Sequence, residues 1–177
     1  MKRERKDATR RLTLAAVLAA LGVILLALGA LVQVLDLTMA ALASLLIVLG
    51  VIELGGKWPY LIYSVTAVLG VLFVTPKTAP LLYLLFAGYY PILKAVLERC
   101  FSRTVAWVMK IAVFNVALFA CAFIALKFFA SEIPAEWVPY WWALFFLTPV
   151  FWLYDVALTR LISAYVLRWR ERLRFLK

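Results

Sequence analysis

The chain has 177 residues and a net charge of +10, and 67% of its residues are apolar. Soluble domains hold roughly half, and a sphere this small cannot hide the excess from water, so lipid must solvate it. With no histidine, three dispersed aspartates and six glutamates that form no cluster, the composition excludes histidine metal sites and histidine acid/base catalysis. It also lacks the oxygen-ligand set of metal-dependent phosphotransfer. Neither a metal nor a catalytic role is expected, and no cofactor is implied.

In chain order, six apolar runs have the length of spanning helices: Leu12–Val32, Leu37–Leu54, Trp58–Val74, Ala79–Leu97, Val105–Phe129 and Trp137–Tyr165. Polar or turn-rich breaks separate them at Gln33–Asp36, Gly55-Gly56-Lys57, Thr75-Pro76-Lys77, Glu98–Thr104 and Ser131–Glu136. Connections this short force neighbouring helices to run antiparallel. The expected fold is therefore an all-α integral membrane protein. Six transmembrane helices form one compact bundle and a single domain over residues 1–177, with a basic N-terminus (1–11) and a basic tail (166–177).

Charge sets the orientation. Of nineteen lysines and arginines, all but Lys77 and Lys127 fall at the termini or toward the ends joining helices two to three and four to five. The positive-inside rule places both termini in the cytoplasm. The asymmetry belongs to a membrane rather than to a nucleic-acid face. The first run is too long for a signal peptide and lacks an A-x-A site, so it reads as an uncleaved span. The tail YVLRWRERLRFLK interleaves apolar residues with arginines, which suits anchoring at anionic lipid headgroups or docking of a cytoplasmic partner. Cys100 and Cys121, with no CxxC, read as free thiols.

Several residues stand out against the apolar background. In the first helix, Ala15/Ala19 and Ala16/Ala20 are small pairs one turn apart, suited to close helix approach within the bundle or to a separate membrane subunit. Glu132, Glu136, Trp137, Tyr140, Trp141 and Trp142 gather at the last outer loop. They form either an interfacial aromatic belt or the wall of a pocket for a flat or cationic ligand. Gln33, Asp36, Thr38, Lys77, Thr78 and Tyr83 line the same mouth in the pocket reading. Asn115, near mid-membrane, needs hydrogen-bond partners from a ligand or from Tyr89, Tyr90 or Thr148.

Lys94 and Asp155 lie in the inner parts of helices four and six. An isolated charge there is costly, so Asp155 is expected to pair with Lys94, or with Lys110 or Arg160, or to stay protonated. The lysines and arginine would snorkel to the inner interface. A proton or ion relay is the sharper alternative. Pro91 and Pro149 are expected to interrupt helices four and six and so to shape a cavity.

The strings LTLAAVLAALG, VLDLTMAALASLLIVLGVIELGG, LLFAGYYPILKAVLER and VFNVALF, in six short-looped spans, resemble the substrate-binding S component of energy-coupling factor (ECF) transporters. The resemblance runs from Leu12 to Arg172 and points to a bacterial branch, hence to the cytoplasmic membrane. It implies capture of a vitamin-like small molecule near the outer face. Delivery would then require a membrane scaffold (T) subunit and two cytoplasmic ATPases, with the component toppling in the bilayer.

By the same resemblance, Ala15, Ala16, Ala19 and Ala20 contact the scaffold, and Asp36, Lys77, Tyr83, Asn115, Glu132, Trp137 and Trp141 belong to the pocket region. The tryptophan-rich mouth is similar to pockets for thiamine-like, flat heterocyclic cargo. The missing histidine disfavours nickel or cobalt uptake, and with no GxxxxGK[ST] motif the energy must come from partners. Two further readings stand beside this one. One is a structural scaffold resembling the rod-shape-determining proteins of the MreD type. The other is a lipid-handling enzyme using Lys94 and Asp155.

Overall fold

The computed structural model describes residues 2–32, 35–128 and 147–169. Every regular element among them is helical. Helix α1 runs Lys2–Leu31, α2 Asp36–Leu49, α3 Trp58–Phe73, α4 Thr78–Leu82, α5 Tyr90–Cys100, α6 Arg103–Phe128 and α7 Leu147–Ala164. Five segments are long and apolar enough to cross a membrane: Ala8–Leu31, Asp36–Leu54, Thr78–Cys100, Arg103–Ala120 and Leu147–Leu167. The third expected span, Trp58–Val74, is the shorter α3, with 16 residues. Contacts divide the chain into two units, Met1–Ile124 and Ala125–Lys177.

The basic N-terminus is not a separate tail. It is helical from Lys2 and continuous with the first apolar run. No glycine or proline precedes Gly22, and Lys, Arg, Glu and Ala are good helix formers, so nothing halts the helix at the polar boundary.

In the first unit, α1 packs along both α2 and α3. The core uses small residues where backbones approach, among them Ala15, Ala19, Ala40, Ala43 and Ala67, and fills the remaining space with Leu26, Ile47 and Ile62. In lipid, helix association draws on this close packing rather than on release of water. Thr66 of α3 donates its hydroxyl to the Ala19 carbonyl at 3.3 Å. Large apolar side chains such as Val17, Ile24, Val68 and Val116 point outward, as a lipid-facing surface requires.

Among the described residues three spans end or break in wide, π-helical turns, one of them Tyr165–Trp169 after α7. After α2, residues Gly50–Leu54 form one such turn, closed by Gly55 N–H to the Gly50 carbonyl at 3.0 Å. Gly55 and Gly56 then reverse the chain with φ of +61° and +56°, torsions that β-carbons disfavour. The second wide turn, Tyr83–Ala87, follows α4 and is closed by Gly88 N–H to the Tyr83 carbonyl at 2.8 Å. The helix restarts at Tyr90, with Pro91 in its first turn. Proline costs little there because that N–H has no helical partner anyway. Pro91 thus opens α5 instead of kinking a continuous helix, and the break lies upstream at Gly88-Tyr89. Pro149 likewise sits in the first described turn of α7.

Candidate functional site

Short connections make successive helices antiparallel, so the first unit has two ends. One carries Lys57, Arg99 and Arg103; the other carries Asp36, Lys77 and Thr78. At the latter end Asp36 opens α2, where the helix dipole favours a carboxylate. The Thr78 hydroxyl donates to Asp36 Oδ2 and so ties the start of α4 to the start of α2. Asp36 Oδ1 is buried and accepts no hydrogen bond among the described residues. Lys77 turns the other way. Its Nζ donates to the Val71 and Val74 carbonyls, both at 2.7 Å. These are the orphan acceptors at the end of α3, so two of the three ammonium protons serve as a helix cap.

Midway along the fourth span lies a tyrosine cluster. Tyr83 and Tyr90 have no exposed surface. The Tyr63 ring stands 6.1 Å from that of Tyr83 and edge-on to Tyr89 at 6.4 Å. Phe86 links Tyr90 at 5.1 Å and Phe114 of α6 at 5.2 Å. The Tyr63 hydroxyl donates to the Leu84 carbonyl at 2.8 Å, inside the wide turn where helical pairing is disturbed. Gly88 makes this fit possible, because a β-carbon there would lie 2.6 Å from Tyr63 Cδ2. Tyr83 thus belongs to a packed aromatic core. Tyr63 is a residue the sequence reading missed; its one signal is a hydroxyl-bearing ring in an apolar helix.

The basic end holds the charged cluster. Lys94 of α5 and Lys110 of α6 are each 2% exposed, and both contact Glu98 Oε1, at 2.9 Å and 2.5 Å. Lys110 also lies 5.1 Å from the Trp107 ring centroid, within cation–π range. Both lysines thus meet one carboxylate at the basic end of the unit, Lys94 reaching it one turn along its own helix. Glu98 is the second residue missed. The Lys94/Glu98 spacing of one turn is a signal for it, but the residue was assigned to an interhelical break. Asp155 is itself 2% exposed, on α7 of the second unit.

Among the described residues the Asn115 amide nitrogen stays within its own helix. Nδ2 donates to the Ile111 carbonyl of its own helix at 2.9 Å. Its Oδ1 is buried and accepts no hydrogen bond among the described residues. The four-alanine stripe divides: Ala15 and Ala19 are buried inside the unit, while Ala16 and Ala20 are exposed. They share their outward ridge with Leu12, Val17 and Ile24. Glu132, Trp137 and Trp141 lie outside the described residues. Among those described, no group of three or more metal-ligating side chains converges.

No protein-family model matches the sequence. Comparison with curated proteins gives no significant match, and comparison with solved structures gives none either.

Proposed function

We propose that this chain is a non-catalytic, substrate-binding membrane subunit of the S-component type. It captures a vitamin-like small molecule at the face bearing Asp36 and Thr78, and it works with a separate membrane scaffold subunit and two cytoplasmic ATPases. The observation that carries the reading is the uncovered ridge of α1. Ala16 and Ala20 are exposed there among Leu12, Val17 and Ile24. Small residues on a helix surface let a second backbone approach closely, which is how helices associate in lipid. A helix that served only its own bundle would turn such residues inward, as it does Ala15 and Ala19.

Orientation follows from charge, with seventeen of nineteen basic residues assigned to one side. In this reading that side is the cytoplasmic face of a bacterial inner membrane, in contact with anionic lipid, and holds both termini. At the opposite face Asp36 Oδ1 is a buried acceptor without a hydrogen-bond donor among the described residues, which suits a polar group of the cargo. The test is native mass spectrometry of the gently solubilised protein, with release and identification of what is bound. A stoichiometric small heterocycle supports the transporter reading. Phospholipid alone, together with stable recovery of cell-envelope proteins, supports the structural-scaffold reading instead.

A further inference from the structure

Helix α3 is the short member of the set. Its 16 residues rise about 24 Å at ~1.5 Å each, against about 30 Å of hydrocarbon in a typical bilayer. Neighbouring spans are longer, with 24 residues in Ala8–Leu31 and 23 in Thr78–Cys100. Neither end of α3 can be extended. Gly55 and Gly56 reverse the chain just before it, and Lys57 there is exposed. At the other end Val74 is already extended.

The far end is fixed by charge as well. The Lys77 ammonium is bonded to the carbonyls of Val71 and Val74. In a bilayer of ordinary thickness that cation would sit below the hydrocarbon boundary, where an ionised group is costly. Tilting the helix shortens its projected span and so makes the mismatch worse.

The side of α3 away from α1 is apolar but for Ser64, whose hydroxyl donates to the Tyr60 carbonyl of its own helix at 2.8 Å. Leu61, Val65, Val68 and Leu72 form one stripe with roughly half or more of each side chain exposed, and Tyr60 and Phe73 flank it at the two ends. A tyrosine at such a position marks the headgroup level. The stripe must meet acyl chains, and its ends must meet water.

We propose that this face of α3 holds the bilayer locally thin, at about 24 Å, recruiting short or disordered acyl chains along the Leu61–Leu72 stripe. The inference rests on the membrane-spanning reading of the first unit but not on any cargo.

The test uses the full-length chain with Cys100→Ser and Cys121→Ser and one nitroxide-labelled cysteine, at Val68 of α3 or at Ile24 of α1. Label depth is measured by oxygen and nickel-chelate collision in dimyristoleoyl, dioleoyl and dierucoyl phosphatidylcholine vesicles. The expected result is a Val68 label held at about 8 Å, the rise of the five residues between it and the Phe73 end of α3, in all three lipids, while the Ile24 label deepens as the chains lengthen. Lys77→Leu, which removes the pinned charge, should let the Val68 label deepen with chain length too. A Val68 label that deepens in step with Ile24 in the otherwise unaltered chain overturns the proposal, and so does one exposed to water throughout. Failure to find a cargo or scaffold subunit leaves these depths untouched, so the two readings fail separately.

Discussion

Gly88→Ala tests how tightly the tyrosine cluster is packed, and the sign of its effect is decisive. Gly88 has ordinary right-handed helical torsions, φ −72° and ψ −45°, so alanine meets no backbone objection. On helix propensity alone the substitution should stabilise, by up to about 1 kcal/mol. The added methyl, however, would lie 2.6 Å from Tyr63 Cδ2 and 2.8 Å from both Tyr63 Cε2 and Tyr83 Cε1. Neither ring is a flexible end that swings away. The Tyr63 hydroxyl is held by the Leu84 carbonyl, and Tyr83 has no exposed surface.

Overpacking of a filled core costs about 1–3 kcal/mol. Pushing Tyr63 off Leu84 adds roughly 1 kcal/mol for the lost hydrogen bond, which the propensity gain offsets. The net expectation is a loss of about 1–3 kcal/mol, read as earlier unfolding in a detergent-to-SDS titration followed by circular dichroism. Tyr63→Ala removes two of the three close atoms. The double variant should therefore be less destabilised than the sum of the singles, by roughly 1 kcal/mol or more. Gly88→Ala at or above the stability of the unaltered protein would refute the packing argument.

Ala19→Leu should cost about 1–3 kcal/mol in the same titration because it overpacks the α1–α3 contact, whereas Ala16→Leu on the open ridge should stay within about 0.5 kcal/mol. If Ala16→Leu still co-purifies with a partner membrane subunit as well as the unaltered protein does, the ridge is not the docking face. Glu98→Gln keeps the shape but removes the charge facing two buried ammonium groups. A loss of about 1–2 kcal/mol is expected, less than the ~3–5 for a fully buried pair, because the carboxylate is 46% exposed. That loss should persist in high salt, since buried partners are poorly screened; a loss that disappears with salt would mark a surface pair. Thr78→Val removes the donor to Asp36 and should cost about 1–2 kcal/mol, with unchanged stability arguing that the carboxylate is hydrated instead.

The helical segments were legible because each boundary carries its own chemistry, such as Gly55-Gly56 or the Thr75-Pro76-Lys77 run. The break in helix four was legible from Pro91, but it lies at Gly88-Tyr89 because the proline stands just downstream, at a position where it opens a helix. Lys94 meets Glu98 one turn along its own helix, since a flexible ammonium readily takes a carboxylate at that spacing, a local contact that competes with any longer-range one. Asn115 illustrates the same competition, with a carbonyl of the preceding turn within reach of its amide.

The alanine stripe shows a different limit. Adjacent residues differ by about 100° around a helix, so Ala15/Ala19 and Ala16/Ala20 cannot share one partner. Composition says that both pairs permit close approach, and only packing against Thr66 decides which pair turns inward.

The unbroken course of α1 has a mechanical consequence. Thirty residues in one helix make a rod of about 45 Å, of which the ten from Lys2 to Arg11 supply about 15 Å beyond the apolar part. The basic segment is therefore a lever arm rather than a tether. A tilt of about 20°, ordinary for a helix in a bilayer, swings its tip sideways by roughly 15 Å. Any reorientation of the bundle in the lipid plane is thus reported, magnified, by the position of a cationic rod end at the membrane surface.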